Sequence, residues 1–398
     1  MKVETYKTIT VPVKCSKGDY TYLSNCNKLS AQVWNKIIEL EKEFRNTNDG
    51  KWIGRSHLQK ELKGFVHLHA KGIQHIIGKY LHSRDGALAS KKAGQSNVRF
   101  PYRNKNYFTT GWTYQEAKIK DNKIMLSKPK TKEKIDGKVR RQKPVVCYIK
   151  DIPKNIVQVE LIYRNKLYLS IKYKEQSEYF QVESNNAASI DLGEIHSITS
   201  IDTCGNALII TGRKMRAIKQ LRNKHQAKLY RRLSKTTKGS KQYWKYRRAM
   251  QKLSVKYDRQ INDAIHKTSK LFLDYCLENN ISIVYYGDLD SATRLTKKKR
   301  VANNYIRQKL TQWNFGSIIE SLSNKLSRHG VELIKVNERY SSQKCPSCKS
   351  LKKPKNRTYS CKCGYVQHRD IVGAINILND NHETELTHYE SKKYLRIG

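Results

Sequence analysis

Residues 338–379 read ERYSSQKCPSCKSLKKPKNRTYSCKCGYVQHRDIVGAINILN. Four cysteines stand there in two close pairs, Cys345/Cys348 and Cys361/Cys363, with a basic loop between them. Paired soft thiolates at this spacing suit a tetrahedral zinc ion in a small knuckle that has no core of its own. Disulfides are the alternative, but the chain shows no secretory signal, so they are not expected. The second pair is Cys-x-Cys, a tighter turn that Gly364 is suited to accommodate. Soon after it, Asp370 opens a run in which Ile371, Ala374, Ile375 and Leu378 share one helical face. The stretch reads as a zinc knuckle feeding a helix that begins on a carboxylate.

That helix needs a sheet to pack on, and the sequence supplies one upstream. Residues 187–193, AASIDLG, run apolar into Asp191. Residues 195–201 read as a second strand, 202–205 as a reversing turn and 207–211 as a third strand. A buried strand that ends on Asp and feeds a hairpin is the opening of the RNase H architecture, where the Asp sits at the sheet centre and binds divalent metal. Residues 281–287, ISIVYYG, make a further buried strand ending in Gly-Asp-Leu. A basic, poorly periodic loop is expected over 291–304. A helix follows over 313–326, burying Trp313, Phe315, Ile318, Ile319, Leu322 and Leu326. Residues 331–336 form another strand and deliver Glu338. From Asn379 onward the chain is polar and mixed and reads as a tail.

Net charge narrows the class of partner. The 398 residues hold 79 Lys and Arg against 34 Asp and Glu, a formal charge of +45. Small neutral substrates require no such excess; a long polyanion that releases counterions does. The 25 Tyr and 5 Trp interleaved with these cations can stack on unpaired bases, which suits RNA or single strands better than an intact duplex. The charge is densest over 213–259, with 18 Lys or Arg against one Asp. Ile218, Leu221, Leu229 and Leu233 hold one apolar seam there, and Met250, Leu253, Tyr257, Ile261 and Ile265 another. We read this as a helical hairpin lying against phosphates, with Arg213, Arg216, Arg231, Arg232, Arg247 and Arg248 as contacts. Cys15, Cys26, Cys147, Cys204 and Cys276 are scattered and read as small buried thiols. No apolar run approaches 18 residues and no signal peptide is visible, so a soluble, intracellular protein with no membrane partner is expected.

The first half alternates in character. A strand at 8–13 precedes a helical stretch from about 20 to 80, in which His57, His67, His69 and His75 read as surface or RNA-facing residues rather than metal ligands. Short strands are expected at 100–102, 107–112 and 123–126, and longer ones at 145–149, 156–162 and 167–172. The loop at 128–143 carries eight Lys or Arg. A strand, a helical insertion and more strands suggest a β-barrel interrupted by a helical lobe.

Taken in order, IDLG (190–193), the basic hairpin, YYGDL (285–289), QWNFG (312–316), YSSQKCPSC (340–348), CKCG (361–364) and HRDIVGAINIL (368–378) resemble the TnpB family. These are transposon-encoded RNA-guided nucleases related to type V CRISPR effectors. The resemblance is strong over 185–380 and looser before it. It implies an α+β multidomain chain: a wedge-type β-barrel at 1–19 and 87–184 and a helical recognition lobe at 20–86. An RNase H-like RuvC domain at 185–340 and 365–380 follows, with the knuckle at 341–364 and a tail at 381–398. It also implies a guide RNA, a target double-stranded DNA with a short adjacent motif, Mg²⁺ or Mn²⁺ as cofactor beside structural Zn²⁺, and a prokaryotic cytoplasmic or nucleoid setting. Asp191 and Asp370 would be catalytic metal ligands.

One position departs from the family pattern. The usual second acid is a Glu at the end of the fourth strand, where this sequence has Gly287. Asp288 follows it, on the opposite face of the pleat. Either the site is rearranged, with Glu338 supplying the acid from the next strand about 4.8 Å over, or the site is dead and the protein is a nuclease-deficient RNA-guided repressor. A DNA-binding zinc protein without RNA is a third class.

Overall fold

The computed structural model describes residues 2–95, 97–130, 142–178, 184–288 and 313–397. The expected basic loop at 291–304, Leu289 and Gln312 of the family motifs, and most of the basic loop at 128–143 lie outside these residues. The chain divides into two compact units, residues 3–177 and residues 178–398 with 1–2.

In the first unit, strand β1 (Lys2–Pro12) is followed by helices α1 (Lys17–Thr47), α2 (Arg55–Glu61) and α3 (Ala70–Lys92). Six strands come next: β2 (Thr110–Thr113), β3 (Ala117–Lys120), β4 (Lys123–Leu126), β5 (Val145–Tyr148), β6 (Ile156–Tyr163) and β7 (Leu167–Glu178). They form one sheet in the order β1-β7-β6-β2 and a second in the order β3-β4-β5. Apolar faces of α1 (Leu23, Val33, Ile37) and α3 (Ile73, Ile76, Ile77) join Trp112, Val159, Leu161 and Leu169 in one core. The helical insertion thus exists because both helices have a stripe to bury.

Several expectations are corrected here. His69 is 6% exposed: its Nδ1 accepts the Gly72 amide at 3.1 Å as the cap of α3, and its ring stacks on Trp112. His75 is also packed, 3.4 Å from Glu160 and 2.9 Å from Gln158. Neither is a surface residue, because each ring fills a polar niche between helix and sheet. Residues 100–102 form no strand; Phe100 instead packs on Trp52 with ring centroids 4.6 Å apart. Helix α3 also runs to Lys92, past the expected lobe boundary at 86.

The second unit is built on a sheet of β8 (Asn186–Asp191), β9 (His196–Asp202), β10 (Asn206–Thr211), β11 (Ile281–Gly287), β12 (Glu332–Val336) and β15 (Ser391–Leu395). Its order is β12-β11-β8-β9-β10-β15. Strands β8, β9 and β10 pair antiparallel, whereas β11 and β12 join parallel on the other side. One face carries Ala188, Ile190 and Val284 against α5 (Lys241–Glu278) and α6 (Phe315–Leu326). The other carries Ala187, Ile201 and Tyr285 against α7 (Arg369–Asn379). Since side chains alternate along β8, Asp191 shares the α7 face with Ala187 and Ser189, whose Oγ donates to the Ala374 carbonyl at 2.6 Å.

Helices α4 (Arg213–Ser234) and α5 make the basic hairpin. From Arg216 to Lys256 no residue is buried, and Leu221, expected in the seam, is 47% exposed. The seam is therefore shallower than its periodicity suggests. Cys26, Cys147 and Cys276 are buried as expected, but Cys204 is exposed in the 202–205 turn.

The expected tail is not one. β15 pairs parallel with β10, from Asn206 opposite Ser391 to Ile210 opposite Leu395, and Ile397 is buried beyond it. Pairing uses backbone groups, so a cationic SKKYL strand at a sheet edge leaves no apolar pattern to read, and its lysines discourage further pairing. No described helix is long and apolar enough to cross a membrane.

A carboxylate cleft beside a four-cysteine knuckle

The knuckle forms where β13 (Thr358–Ser360) and β14 (Val366–His368) pair antiparallel. They bring the second cysteine pair against the first, with sulfurs 3.7 Å apart for Cys345/Cys363 and 3.4 Å for Cys348/Cys361. A disulfide requires about 2.05 Å, while thiolates about 2.3 Å from a tetrahedral zinc stand about 3.8 Å apart. The four sulfurs, all within 4.8 Å of one another, fit zinc. Gly364 sits at φ 89°, the left-handed turn that Cys-x-Cys needs. The Ser350 hydroxyl, and then the Cys363 amide, pull the Cys361 thiol down to about 6, toward the thiolate a metal requires.

The knuckle also explains why α7 is buried on every side. Residues 370–378 are all buried. Ile371, Ala374 and Ile375 face the sheet, while Val372 packs with Cys345, Tyr359 and Tyr365 of the knuckle. Asn376 donates from Nδ2 to the carbonyls of Ser341 and Lys344, at 2.6 and 2.7 Å. The helix that carries Asp370 is thus clamped between sheet and knuckle.

At the end of that helix lies a cleft of about 370 Å³, lined by Asp191, Glu338 and Asp370 together with Trp313, Arg357 and Arg369. Two glycines shape it. A Cβ at Gly373 would lie 2.7 Å from Oδ2 of Asp191, so only glycine lets α7 approach that strand end. A Cβ at Gly287 would lie 2.6 Å from the Cβ of Glu338 and closer still to its carboxylate. Gly287 is opposite Val336 in the parallel β11/β12 ladder, and Glu338, two residues on, folds its side chain back over it. The Glu338 carboxylate fills the space that a side chain at 287 would take. Asp288 is turned away: it pairs with Lys335 at 2.9 Å and does not line the cleft.

The charges in the cleft oppose one another. Burial, then the carboxylates of Asp370 and Glu338, push Asp191 up to about 8, with Arg369 opposing. Burial, then Asp288, raises Glu338. Burial also works to raise Asp370, but the His196 hydrogen bond, followed by His368 and Arg369, holds it below the usual carboxylate range. Its Oδ2 lies 3.0 Å from His196 Nδ1 and accepts from Arg357 at 3.4 Å, while Oδ1 accepts from Arg369 at 3.4 Å. Asp191, whose affinity for protons the other two carboxylates raise, is the group that a cation would relieve.

Comparison with known proteins agrees with this architecture. Residues 170–293 match the OrfB_IS605 family, described as a probable transposase, and residues 315–377 match the Cas12f1-like TNB domain. A TnpB-like protein of Methanocaldococcus jannaschii is 27% identical over 201 residues, 49% of this chain and 69% of the relative. Over this stretch the chain is similar to the TnpB-like proteins. TnpB-like proteins of Acanthamoeba polyphaga mimivirus are 26% identical over 147 residues, 36% of this chain but only 27% of theirs. Among solved structures, the Cas12f1–sgRNA–target DNA complex matches with a TM-score of 0.64 at 14% identity, over 94% of this chain and 98% of that one. The mini-RNA-guided endonuclease CRISPR-Cas_phi3 gives 0.55 at 10% identity, over 98% and 94%. At such identities the likeness is one of fold: this TnpB-like chain has the mixed α+β fold of the Cas12 effectors.

The sequence brought the TnpB-like carboxylates into view but missed their neighbours. His368 and Arg369 are visible in the HRD string beside Asp370, although nothing in that string marks them as contacts. His196 lies five residues after Asp191 and reaches Asp370 only because β9 runs antiparallel to β8. Arg357 has no sequence signal: pairing of Thr358 with His368 carries it to Asp370. Of the six arginines read as phosphate contacts, Arg216 lies 3.7 Å from Glu194, whereas Arg231, Arg232, Arg247 and Arg248 are exposed on the outer part of the hairpin and Arg213 is exposed at its base.

Proposed function

We propose that this chain is an RNA-guided DNA endonuclease that cleaves DNA beside a short adjacent motif. Guide RNA and target double-stranded DNA are its partners, and the work is done in the prokaryotic cytoplasm or nucleoid. Residues 185–340 and 365–380 act as an RNase H-like RuvC domain. The strands within 1–19 and 87–184 act as a wedge-type barrel, with helices α1 to α3 as a recognition lobe. Arg213, Arg216, Arg231, Arg232, Arg247 and Arg248 contact phosphates. Cys345, Cys348, Cys361 and Cys363 hold structural Zn²⁺.

The observation that carries the reading is Glu338 filling the space over Gly287. It supports a rearranged acid rather than a lost one, so Asp191, Glu338 and Asp370 are the proposed ligands of Mg²⁺ or Mn²⁺. When bound, the divalent ion supplies charge stabilisation to the attacking and leaving oxygens of phosphodiester hydrolysis. The protein fixes the three carboxylates on two strand ends and a clamped helix. Arg357 and Arg369 line the same cleft and are placed to receive a phosphate's negative charge. Those guanidiniums also support a second reading. They already neutralise Asp370, as in a repressor that binds its target without cutting.

Cleavage of a target library by the purified complex with its flanking RNA separates the two. Glu338→Gln keeps shape but removes a negative ligand. Cleavage should fall at least 10²-fold, toward the level of Asp191→Ala, while guide and target binding persist. Wild-type binding without cleavage at millimolar Mg²⁺ or Mn²⁺ would establish the repressor instead.

A further inference from the structure

The Asp370 carboxylate also meets two histidines that do not line the cleft. Oδ2 lies 3.0 Å from Nδ1 of His196 and 4.0 Å from Nδ1 of His368. The imidazole centroids are 5.0 Å apart. The three groups offer two nitrogens and an oxygen, all within 4.8 Å of one another. Ligand atoms about 2.0–2.1 Å from a tetrahedral ion stand about 3.4 Å apart, and the two separations from Oδ2 straddle that value. His196 and Asp370 are buried and His368 half-buried, so packing holds the group while one of its members remains partly accessible.

We propose that His196, His368 and Asp370 form a site for a transition-metal ion of the Zn²⁺, Co²⁺ or Mn²⁺ class. It is distinct from the four-cysteine zinc and shares only Asp370 with the carboxylate cleft. Imidazole nitrogens favour such ions over Mg²⁺, which keeps to oxygen ligands. Three protein ligands with one open side is also the donor count of zinc sites that retain an exchangeable position.

Other groups compete for this carboxylate. Arg357 donates to Oδ2 and Arg369 to Oδ1, each at 3.4 Å, from side chains 44% and 38% exposed. Both are long hydrogen bonds, and both guanidiniums can turn into solvent. His368 Nδ1 accepts the Asp370 amide at 3.3 Å, another long bond, which an ion at this nitrogen exchanges for a metal bond. An ion held here withdraws Oδ2 and displaces Arg357. It therefore inhibits the cleft, a consequence that rests on the nuclease reading; the binding itself does not.

The test is a Co²⁺ titration of full-length protein already loaded with zinc at the knuckle, followed by visible d–d absorption. One further Co²⁺ should bind per chain. His196→Gln and His368→Gln should each weaken it about ten-fold or more, since even outer contacts of a metal site cost that much, and Asp191→Asn should leave it unchanged. His196 is buried, so its variant can fail to fold; His368 is half-buried and keeps the test decisive. Absence of Co²⁺ binding, or binding that ignores the His368 substitution, overturns the proposal. Binding lost in Asp191→Asn also overturns it and assigns the ion to the carboxylate cleft. The readout is spectroscopic, so a failure of the nuclease reading would not mimic a failure of this one.

Discussion

Gly287 and Glu338 compete for one corner of the cleft, and that competition can be measured. Gly287→Glu alone forces a Cβ to within 2.6 Å of the Glu338 Cβ, an overpacking that costs about 1–3 kcal/mol. Cleavage by this variant should fall rather than rise, and its thermal midpoint should drop. Adding Glu338→Gly should recover both, because it removes the opposing Cβ and the acid then reaches the corner from the neighbouring strand. Asp191 makes a second prediction. Its folded value near 8 lies above that of the unfolded chain, so the unfolded chain gives up the proton first. Without divalent ions in the cleft, the contribution of Asp191 to stability is full below the unfolded value of 3.8 and is lost as pH rises toward 8. Asp370, held below its usual range, has the opposite sign: its contribution is present throughout that window and is lost only on further acidification. Asp191→Asn should therefore flatten the decline and raise the midpoint at pH 8. Thermal unfolding of zinc-loaded protein, with no chelator that would strip the knuckle, reads this directly. Both carboxylates were legible in the sequence. The glycine cradle was not, because close approach belongs to tertiary packing and leaves no local pattern.

At the level of elements, the knuckle is a clamp on α7 as well as the proposed zinc site. Cys348→Ser should release about one zinc per chain and unfold residues 341–364, since they have no core without metal. It should also loosen Asp370, because Val372 and Asn376 lose their partners. Hydrogen exchange along 369–379 should rise together with zinc loss, and protection that survives in α7 would show the clamp to be unimportant. The sequence placed the first five strands of the six-stranded sheet within a residue or two, since each is an apolar run bounded by turns. It failed at β15, whose place is set by backbone pairing alone, and at α7, where one apolar face was expected and the knuckle turned out to cover the other. It failed again at the hairpin seam, where Leu221 has the right period but no partner layer to bury it.

For the whole molecule, the governing quantity is charge. Along the outer hairpin no residue is buried, and Arg231, Arg232, Arg247 and Arg248 are exposed. Neutralising Arg231, Arg232, Arg247 and Arg248 together should leave the fold intact and weaken nucleic-acid binding. If all four meet phosphates of a duplex, the slope of log affinity against log salt should fall by about 3 to 4. An unchanged slope would mean that the hairpin is only a solvated face.

The shared corner over Gly287 also bears on how such chains change over time. A cleft that seats one side chain there makes an acid at 287 and an acid at 338 mutually exclusive. A lineage moving from one arrangement to the other passes either through a crowded intermediate or through one that lacks the acid altogether. Each intermediate is poorer than both ends, so the two arrangements should persist as separate lines rather than blend. Surveys that judge such proteins by alignment column would score this one as broken at 287. Under the proposed ligand set, counting acids by the corner they reach would score it as whole.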